Sequence, residues 1–295
     1  MAAVTRPPVD VVVPFAGTPA ELEEVRRRMA RLELRDRDTI VLVDNTPGHG
    51  PVSADPFPVI NAVEFPTPPY ARNRGAERGS AEWVVFLDAD VVPPPDLLDL
   101  YFEPPPSDRS AILAGGVVDE PVPHSGPAAA RYNHLRRTMS QDMTLGYGPR
   151  WGFPQTANVA VRRAAFEAVG GFRDHIFNGE DADLTYRLRA AGWEVERRES
   201  AAVVHLSRKS AYAVARQKAI HGSAAAWLNE HYPGSFLPRG RAGLVWWALR
   251  FTTTGLVQAA RKRDRDLAII KVFDAIENLA YEFGRSLSNE RVRTR

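Results

Sequence analysis

The sequence contains no cysteine, which excludes a disulfide framework and any thiolate metal site. It also lacks a long hydrophobic run. The nearest candidate, residues 243–260, is interrupted by Arg250 and three threonines, whereas a membrane-spanning helix needs about 18 or more uninterrupted apolar residues. The first residues lack the basic segment and apolar stretch of a secretory signal peptide. We therefore expect a cytoplasmic protein.

Lysine is scarce as well, because arginine supplies nearly all of the 38 basic residues. Abundant alanine, arginine and proline are typical of a GC-rich bacterial genome. The net charge is only +2, but residues 239–295 hold twelve Lys/Arg against six Asp/Glu, a local net charge of +6. This segment is either a solvated helical surface or a contact for an anionic membrane or an acidic partner. We expect no nucleic-acid binding, because the other basic residues are not interleaved with aromatics.

What is present is the composition of a globular α/β protein. The chain has 295 residues, 44% hydrophobic and 25% charged, enough for a sizeable core. Its first half alternates apolar runs typical of buried strands with helical patterns. The runs lie at 9–15, 39–43, 59–65 and 83–87, and the helices at 18–34 and 68–78. This alternation predicts a mostly parallel sheet with right-handed crossovers.

The second half of the chain is less regular. A strand pattern covers 111–118, and helical patterns cover 128–139, 162–169 and 181–190. Gly170-Gly171 and Gly192 follow two of these helices as left-handed caps. Everything from residue 210 onward is predicted to be helical, with Pro233-Gly234 as the one strong break.

Acidic side chains follow the predicted strands of the first half. Asp44 and Asn45 come after the second strand, and Asp88 and Asp90 after the run WVVFL. Ligands of parallel sheets bind outside the carboxyl ends of the strands, so we expect these side chains to converge on one crevice. Paired carboxylates suit Mg²⁺ or Mn²⁺ shared with substrate phosphates. The alternative is a pair of solvated turn aspartates.

A second acidic cluster opens the predicted helix at 181–190. Glu180, Asp181 and Asp183 follow Gly179 there. Acids in a first helical turn are favourable to the helix dipole and need no catalytic role. The same position also suits a carboxylate held in a cleft as a general base.

The order of the motifs resembles one enzyme family. The motifs are VVVPF, VDN, ARNRG, FLDAD, GGF, NGEDADLTYRL and VVHL. Over residues 9–205 this is similar to the inverting, nucleotide-sugar-dependent glycosyltransferases of family 2. The resemblance implies the GT-A fold, a Rossmann-like α/β sheet flanked by helices, with a helical C-terminal extension. It implies a glycosyltransferase domain at 1–232, with a nucleotide-binding half at 9–120 and an acceptor-side half at 121–232, and an extension at 233–295.

The resemblance also assigns roles to residues. Those implied for the nucleotide and its sugar are Pro14, Phe15, Asp44, Asn45, Arg72, Asp88, Trp151, Asn158 and Glu180. Those implied for the metal are Asp88, Asp90 and His205, and Asp181 is the implied general base. The residues themselves leave other interpretations open. Arg72 could be a surface arginine, His205 a structural histidine and Trp151 a core residue.

The implied reaction moves a sugar from a nucleoside diphosphate onto a hydroxyl by an inverting single displacement with Mn²⁺ or Mg²⁺. A UDP-sugar is the default donor, and the acceptor is a glycan, a glycolipid or a small molecule. The alternatives are a non-catalytic sugar-nucleotide-binding or scaffold protein, or a sugar-nucleotide pyrophosphorylase. The latter would show a glycine-rich loop after its first strand, where this chain has one glycine. The C-terminal helices would serve packing, homodimerisation or peripheral membrane contact.

Overall fold

The computed structural model describes residues 6–49, 56–207, 209–239 and 243–293. The first five residues of the predicted domain at 1–232 lie outside these ranges. So do residues 240–242 and 294–295 of the predicted basic extension.

In the described part of the chain, eight strands form one sheet with the order β3-β2-β1-β4-β7-β6-β8-β5. The strands are β1 (Val9–Phe15), β2 (Thr39–Asp44), β3 (Val59–Asn61), β4 (Trp83–Leu87), β5 (Val91–Val92), β6 (Ser110–Asp119), β7 (Asn158–Arg162) and β8 (Glu194–His205). Buried apolar residues cover both faces of the central strands. Double-sided burial explains why those strands read as continuous apolar runs.

Helices cover the sheet and form the C-terminal part of the chain. They are α1 (Pro19–Met29), α2 (Pro68–Ala76), α3 (Leu97–Leu100), α4 (Ala128–Arg136), α5 (Gln141–Leu145), α6 (Gly148–Trp151), α7 (Arg163–Ala168), α8 (Glu180–Ala190), α9 (Ala211–His231), α10 (Leu244–Lys262) and α11 (Arg265–Gly284). The predicted α/β class with a helical C-terminal extension is confirmed.

Local sequence chemistry sets the beginning of α1. The Thr18 side chain accepts the Glu21 N–H, and the Glu21 carboxylate accepts the Thr18 N–H, which forms a capping box. The prediction that this helix continues to about residue 34 was wrong, because it ends at Met29. Leu32 turns back into the core, and the Glu33 N–H donates to the Pro95 carbonyl, so tertiary contacts replace the next helical turn.

The sheet is more mixed than the strand–helix alternation predicted. Strands β1–β4 pair in parallel, but β7 is antiparallel to both β4 and β6. This antiparallel pairing sets Asn158 opposite Leu87, so the segment before β7 meets the end of β4. The Asp88 N–H accordingly donates to the Ala157 carbonyl at 3.2 Å. Two distant parts of the chain thereby share one edge of the sheet.

The C-terminal helices contain a second break that the sequence pattern did not predict. Arg263 adopts a left-handed conformation (φ 54°), and the Asp264 side chain accepts the Leu267 N–H to cap α11. Helix α11 packs on α4, α9 and α10, with Tyr132 stacked on Phe273 at 5.0 Å between ring centroids. None of the helices in the described ranges is long and apolar enough to cross a membrane.

The chain after α11 returns to the sheet domain. The Phe177 N–H donates to the Asn289 carbonyl at 2.8 Å, and the Arg291 N–H donates to the His175 carbonyl at 2.7 Å. The Asn289 side chain donates to the Asn178 carbonyl at 2.8 Å. The segment before α8 is therefore held by the C-terminal part of the chain.

Candidate active site

A cavity of about 760 Å³ opens at the carboxyl ends of the parallel strands. One wall comes from the residues that follow β1, β2 and β4, and a second from segments 155–157 and 177–181. Helices α9 and α11 supply a third wall. The volume is within the range of about 300–1,000 Å³ that is usual for small-molecule sites.

A buried arginine joins two of these walls. The Arg72 guanidinium donates to Glu180 Oε1 at 2.5 Å and to Asp88 Oδ1 at 2.7 Å, and its side chain is almost wholly buried. Burial acts to lower the pKa of Arg72, but the two carboxylates outweigh it, so this pKa is raised. Arg72 is therefore a permanent cation at the cavity and not a surface arginine.

Asp90 meets His205 at the edge of the cavity. The His205 Nε2 lies 3.2 Å from Asp90 Oδ2, although the two residues are far apart in sequence. The antiparallel pair β5–β8 sets Val91 opposite His205 and produces this contact. His205 is nearly buried, whereas the Asp90 side chain is 45% exposed and faces the cavity.

Asp181 lines the cavity from the first turn of α8. Its Oδ1 accepts the Ala182 N–H at 2.9 Å. Burial and the adjacent Glu180 carboxylate raise the pKa of Asp181 to about 8. Gly179 precedes the helix with φ 84°, and a Cβ there would lie 3.0 Å from Leu228. Glycine at this position lets the chain turn so that the two acids face the cavity.

The third acid of this cluster, Asp183, has a different environment. Its side chain is fully buried and accepts hydrogen bonds from Arg173 at 3.0 Å, Arg187 at 2.9 Å and Tyr232 at 2.6 Å. It is absent from the described lining of the cavity. Asp183 therefore anchors α8 through ion pairs and hydrogen bonds.

Four residues of the predicted nucleotide pocket separate into two groups. Pro14, Phe15 and Asn45 line the cavity, and the Asn45 side chain also donates to the Phe65 carbonyl at 2.8 Å. Asp44 has no exposed surface and is not among the described lining residues. Its carboxylate accepts the Thr46 N–H at 2.9 Å, so it stabilises the turn after β2.

Asn158 is likewise outside the cavity. Its side chain donates to the carbonyls of Gly116 at 2.8 Å and Ala201 at 2.7 Å, and accepts the Tyr101 hydroxyl. These bonds join β7 to β6 and β8. The Asn158 amide is fully buried and satisfied by these three partners, so it stabilises the sheet and does not line the cavity.

Trp151 is also absent from the described lining of the cavity. Its ring packs edge-on against Tyr186 at 5.2 Å between centroids, and the Arg150 guanidinium lies over it at 4.5 Å. The core interpretation of Trp151 therefore fits the structure better than stacking on a sugar.

Sequence reasoning missed Arg28. This residue lines the cavity from the last turn of α1, and its guanidinium donates to the Ala89 carbonyl at 2.7 Å. Burial lowers the pKa of Arg28, and Glu24, at 3.7 Å, and Asp90 compensate for it only in part. A basic residue near the end of a helix is ordinary, so no sequence signal distinguished it.

The wall formed by α9 and α11 was missed as well. Gln217 and His221 are hydrogen bonded at 2.9 Å, and Lys218 pairs with Glu277 at 3.2 Å. Tyr281 lines the same wall. These groups come from helices about 60 residues apart in sequence that meet only because α11 packs on α9.

The residues present fit a divalent cation that is shared with a substrate. Among the described residues, no three His, Asp or Glu side chains form a ready-made cage. Asp90, with His205 beside it, and the half-buried Asp88 offer oxygen and nitrogen ligands at the cavity. Mg²⁺ commonly uses one or two carboxylates and takes its remaining ligands from phosphates and water. Such an open arrangement is what a nucleotide-bound ion requires.

The chain is similar to known glycosyltransferases. The model of the family described as "Glycosyltransferase like family 2" matches residues 6–221. The pre-mycofactocin glycosyltransferase of Mycobacterium tuberculosis is 29% identical over 274 residues, which cover 85% of this chain and 54% of that protein. The N-acetylglucosaminyl-diphospho-decaprenol L-rhamnosyltransferase of the same species is 27% identical, with coverages of 59% and 61%. The chain thus spans about half the length of the first relative.

A solved structure shares the fold. The mannosyltransferase PcManGT from Pyrobaculum calidifontis, in complex with GDP-Man and Mn²⁺, superposes with a TM-score of 0.62 at 17% identity. The match covers 94% of this chain and 88% of that one. The predicted GT-A fold is confirmed.

The placement of Asn158 leads to a test of its role. We expect Asn158→Ala to lower the free energy of unfolding by about 3 kcal/mol, because it strands two buried carbonyls and a hydroxyl. Tyr101→Phe, which removes only one of these bonds, should cost about 1 kcal/mol. Urea unfolding followed by circular dichroism measures both. Wild-type stability with lost ligand binding in Asn158→Ala would contradict this structural role.

Proposed function

The chain belongs to the glycosyltransferase-like family 2, and on that basis we propose that it is an inverting glycosyltransferase. It would move a sugar from a nucleoside-diphosphate sugar onto an acceptor hydroxyl in a metal-dependent single displacement. One observation carries the proposal. Asp88 and Asp90, which follow β4, and Asp181, in the first turn of α8, line one cavity together with the buried cation of Arg72.

The donor would lie along the strand side of the cavity. Pro14, Phe15 and Asn45 would surround the base and ribose, and Arg72 would face the phosphates. A guanidinium presents a planar fork of donors that matches phosphate oxygens. Arg28 would add a second positive charge there. A UDP-sugar is the default donor, and the GDP-Man of the mannosyltransferase structure makes a guanosine donor the first alternative to test.

The cation would be Mn²⁺ or Mg²⁺, held by Asp90 with Asp88 and His205 beside it. The Mn²⁺ of the mannosyltransferase complex supports this choice. When bound, such an ion supplies Lewis-acid chemistry by neutralising charge on a departing diphosphate. The protein's own contribution is to hold these ligands on one side and leave the other side open to the phosphates.

Asp181 would act as the general base. Its carboxylate would take the proton of the acceptor hydroxyl while that oxygen attacks the anomeric carbon opposite the leaving group. One displacement inverts the anomeric configuration and needs no covalent intermediate. Glu180 Oε2 is buried and has no hydrogen-bond partner among the described residues. Glu180 Oε2 would accept a hydrogen bond from a hydroxyl of the donor sugar, while Oε1 remains paired with Arg72.

The acceptor would enter along the wall formed by α9 and α11. Gln217, His221 and Tyr281 offer hydrogen-bonding groups to a polar substrate there. The names of the two bacterial relatives specify different acceptors, pre-mycofactocin and N-acetylglucosaminyl-diphospho-decaprenol, so a glycan, a glycolipid and a small molecule all stay candidates. We propose that residues 121–232 form the acceptor side and that the extension at 233–295 completes it through α11.

The first test addresses the base. Asp181→Asn should reduce kcat by about 10²–10⁴-fold, because the acceptor proton loses its receiving group. Donor affinity should change little, because Asp181 is outside the Arg72 ion pairs. Initial rates with Mn²⁺ and donor affinity by calorimetry measure the two effects, after a thermal-shift screen of UDP- and GDP-sugars has identified the donor.

Two controls accompany this variant. Asp183→Asn should lower stability and leave the chemistry largely intact, because Asp183 touches only structural partners. If Asp181→Asn keeps wild-type turnover and Glu180→Gln loses it, the general base is Glu180 and not Asp181. Retention of the donor's anomeric configuration in the product, read by NMR, would rule out a single displacement.

The raised pKa of Asp181 gives a pH dependence. The base works only when it is deprotonated, so kcat/KM should rise with pH and level off above about 8. Below that pH the rate should fall about tenfold per unit. Rates from about pH 6 to about pH 9.5 test this, and the acid limb should be absent from the residual activity of Asp181→Asn. A wild-type profile without this limb would contradict the assignment.

The metal has its own test. Asp90→Ala should lower turnover by about 100-fold, because Lewis-acid stabilisation is worth several kcal/mol, and should weaken Mn²⁺ binding measured by electron paramagnetic resonance. Asp96→Ala, at an exposed aspartate six residues further along, is the matched control and should behave like wild type. Full wild-type activity in excess chelator would overturn the proposed metal dependence.

A further inference from the structure

Helix α10 has one long face that the rest of the described chain leaves uncovered. It packs on α11 through the small residues Ala248, Gly255 and Ala259. A Cβ on Gly255 would lie 2.4 Å from the Lys271 side chain, which shows how close the two helices come on that side. The opposite side of α10 faces away from the protein.

This outward face is apolar. Its large residues are Val245, Trp246, Leu249, Leu256 and Val257, which are between 40% and 68% exposed. With 100° between successive helical residues, they occupy about a third of the circumference. Scattered exposed hydrophobic residues are normal, but a continuous stripe on one helix marks an interaction surface.

Two of the three hydroxyl groups on this helix do not oppose burial of the face. Thr253 Oγ1 donates to the Leu249 carbonyl at 2.9 Å, and Thr254 Oγ1 donates to the Arg250 carbonyl at 2.7 Å. Each of these two hydroxyls therefore has a hydrogen-bond acceptor within the helix, and it keeps that hydrogen bond when the face is buried away from water. A lone hydroxyl moved into an apolar environment would cost several kcal/mol.

The charge beside the stripe has one sign. No acidic residue occurs between Leu244 and Lys262, whereas Arg250 and Arg261 lie along one edge of the apolar stripe and Lys262 ends the helix. Apolar side chains bordered by arginines match the boundary between acyl chains and anionic headgroups.

A second copy of the chain matches this face less well. A two-fold axis through the middle of the apolar stripe, near residue 251, would lay two helices antiparallel and set Arg250 of one copy beside Arg250 of the other. Like charges at such a contact oppose association. We propose that α10 instead docks the protein on an anionic lipid bilayer, lying along its surface with Trp246 and Leu249 in the interface.

The geometry is that of a helix that lies on a membrane. Helix α10 has 19 residues, which corresponds to a length of about 28 Å along the surface. None of the helices in the described ranges qualifies as a membrane span. The docking surface is separate from the cavity, so this inference does not depend on the proposed glycosyl transfer.

Vesicle flotation of the whole chain tests the proposal. The probes are vesicles of phosphatidylcholine alone and of phosphatidylcholine mixed with phosphatidylglycerol. We expect binding to the mixed vesicles to exceed binding to the neutral ones by about tenfold or more at low salt. Binding should fall steeply as salt shortens the Debye length. Equal recovery in the vesicle-free fraction at low and high salt would overturn the proposal.

Variants identify the surface. Trp246→Gln combined with Leu249→Gln should weaken vesicle binding by about tenfold or more, because two buried side chains are lost from the interface. Arg250→Gln combined with Arg261→Gln should remove the preference for anionic vesicles. The matched control combines Leu287→Gln with Tyr212→Gln, which replaces two equally exposed apolar residues outside α10 and should bind like wild type.

Two further measurements keep these outcomes distinct. Thermal melting followed by circular dichroism should be unchanged in the Trp246/Leu249 variant, since both side chains are exposed. Analytical ultracentrifugation without vesicles should show the same mass for wild type and variant. A wild-type dimer that this variant converts to monomer would overturn the proposal in favour of a second copy. Undiminished vesicle binding by the variant would also overturn it.

Discussion

The buried guanidinium of Arg72 is the interaction on which the site depends. It holds Asp88, at the end of β4, and Glu180, at the start of α8, within hydrogen-bond distance of one cation. A buried arginine is stable only with its charge compensated, and removing one partner of such a pair typically costs about 3–5 kcal/mol. The two ion pairs of Arg72 therefore stabilise the contact between the end of β4 and the start of α8, and they also set the distance between the strand side of the cavity and Asp181.

Environment gives three neighbouring acids three different roles. Asp183 points into the core and is neutralised by two arginines, Glu180 is paired with Arg72, and Asp181 faces the cavity. Burial without a direct cation raises the pKa of Asp181. The first turn of α8, whose acids would be favourable to the helix dipole in any case, thus holds one acid that anchors the helix, one that is paired with Arg72 and one that is proposed as the general base.

Local chemistry made much of the fold predictable. Apolar runs located β1, β2 and β4, a capping box located α1, and paired glycines located the end of α7. The ends of the elements were less predictable. Helix α1 ends at Met29 because tertiary contacts of the following residues, such as Leu32, replace its next turn, and α11 begins where the Asp264 side chain caps it. Strand β7 was not predicted, because its run of five residues is short. Its antiparallel direction could not be predicted either, since an apolar pattern does not specify the direction of a strand's partner.

The sequence by itself determined which chemical groups stand at the ends of the strands and at the start of α8, because strand ends and helix starts depend on nearby residues. It therefore indicated Asp88, Asp90 and Asp181. Only the tertiary structure decided which side chains share the cavity. Packing buries Asp44 and Asn158, which stabilise a turn and the sheet outside the described cavity lining. Packing also brings Arg28 and the residues of α9 and α11 into the cavity lining. The physical reason is that side-chain direction and long-range contact follow from packing between elements distant in sequence, which local patterns do not encode.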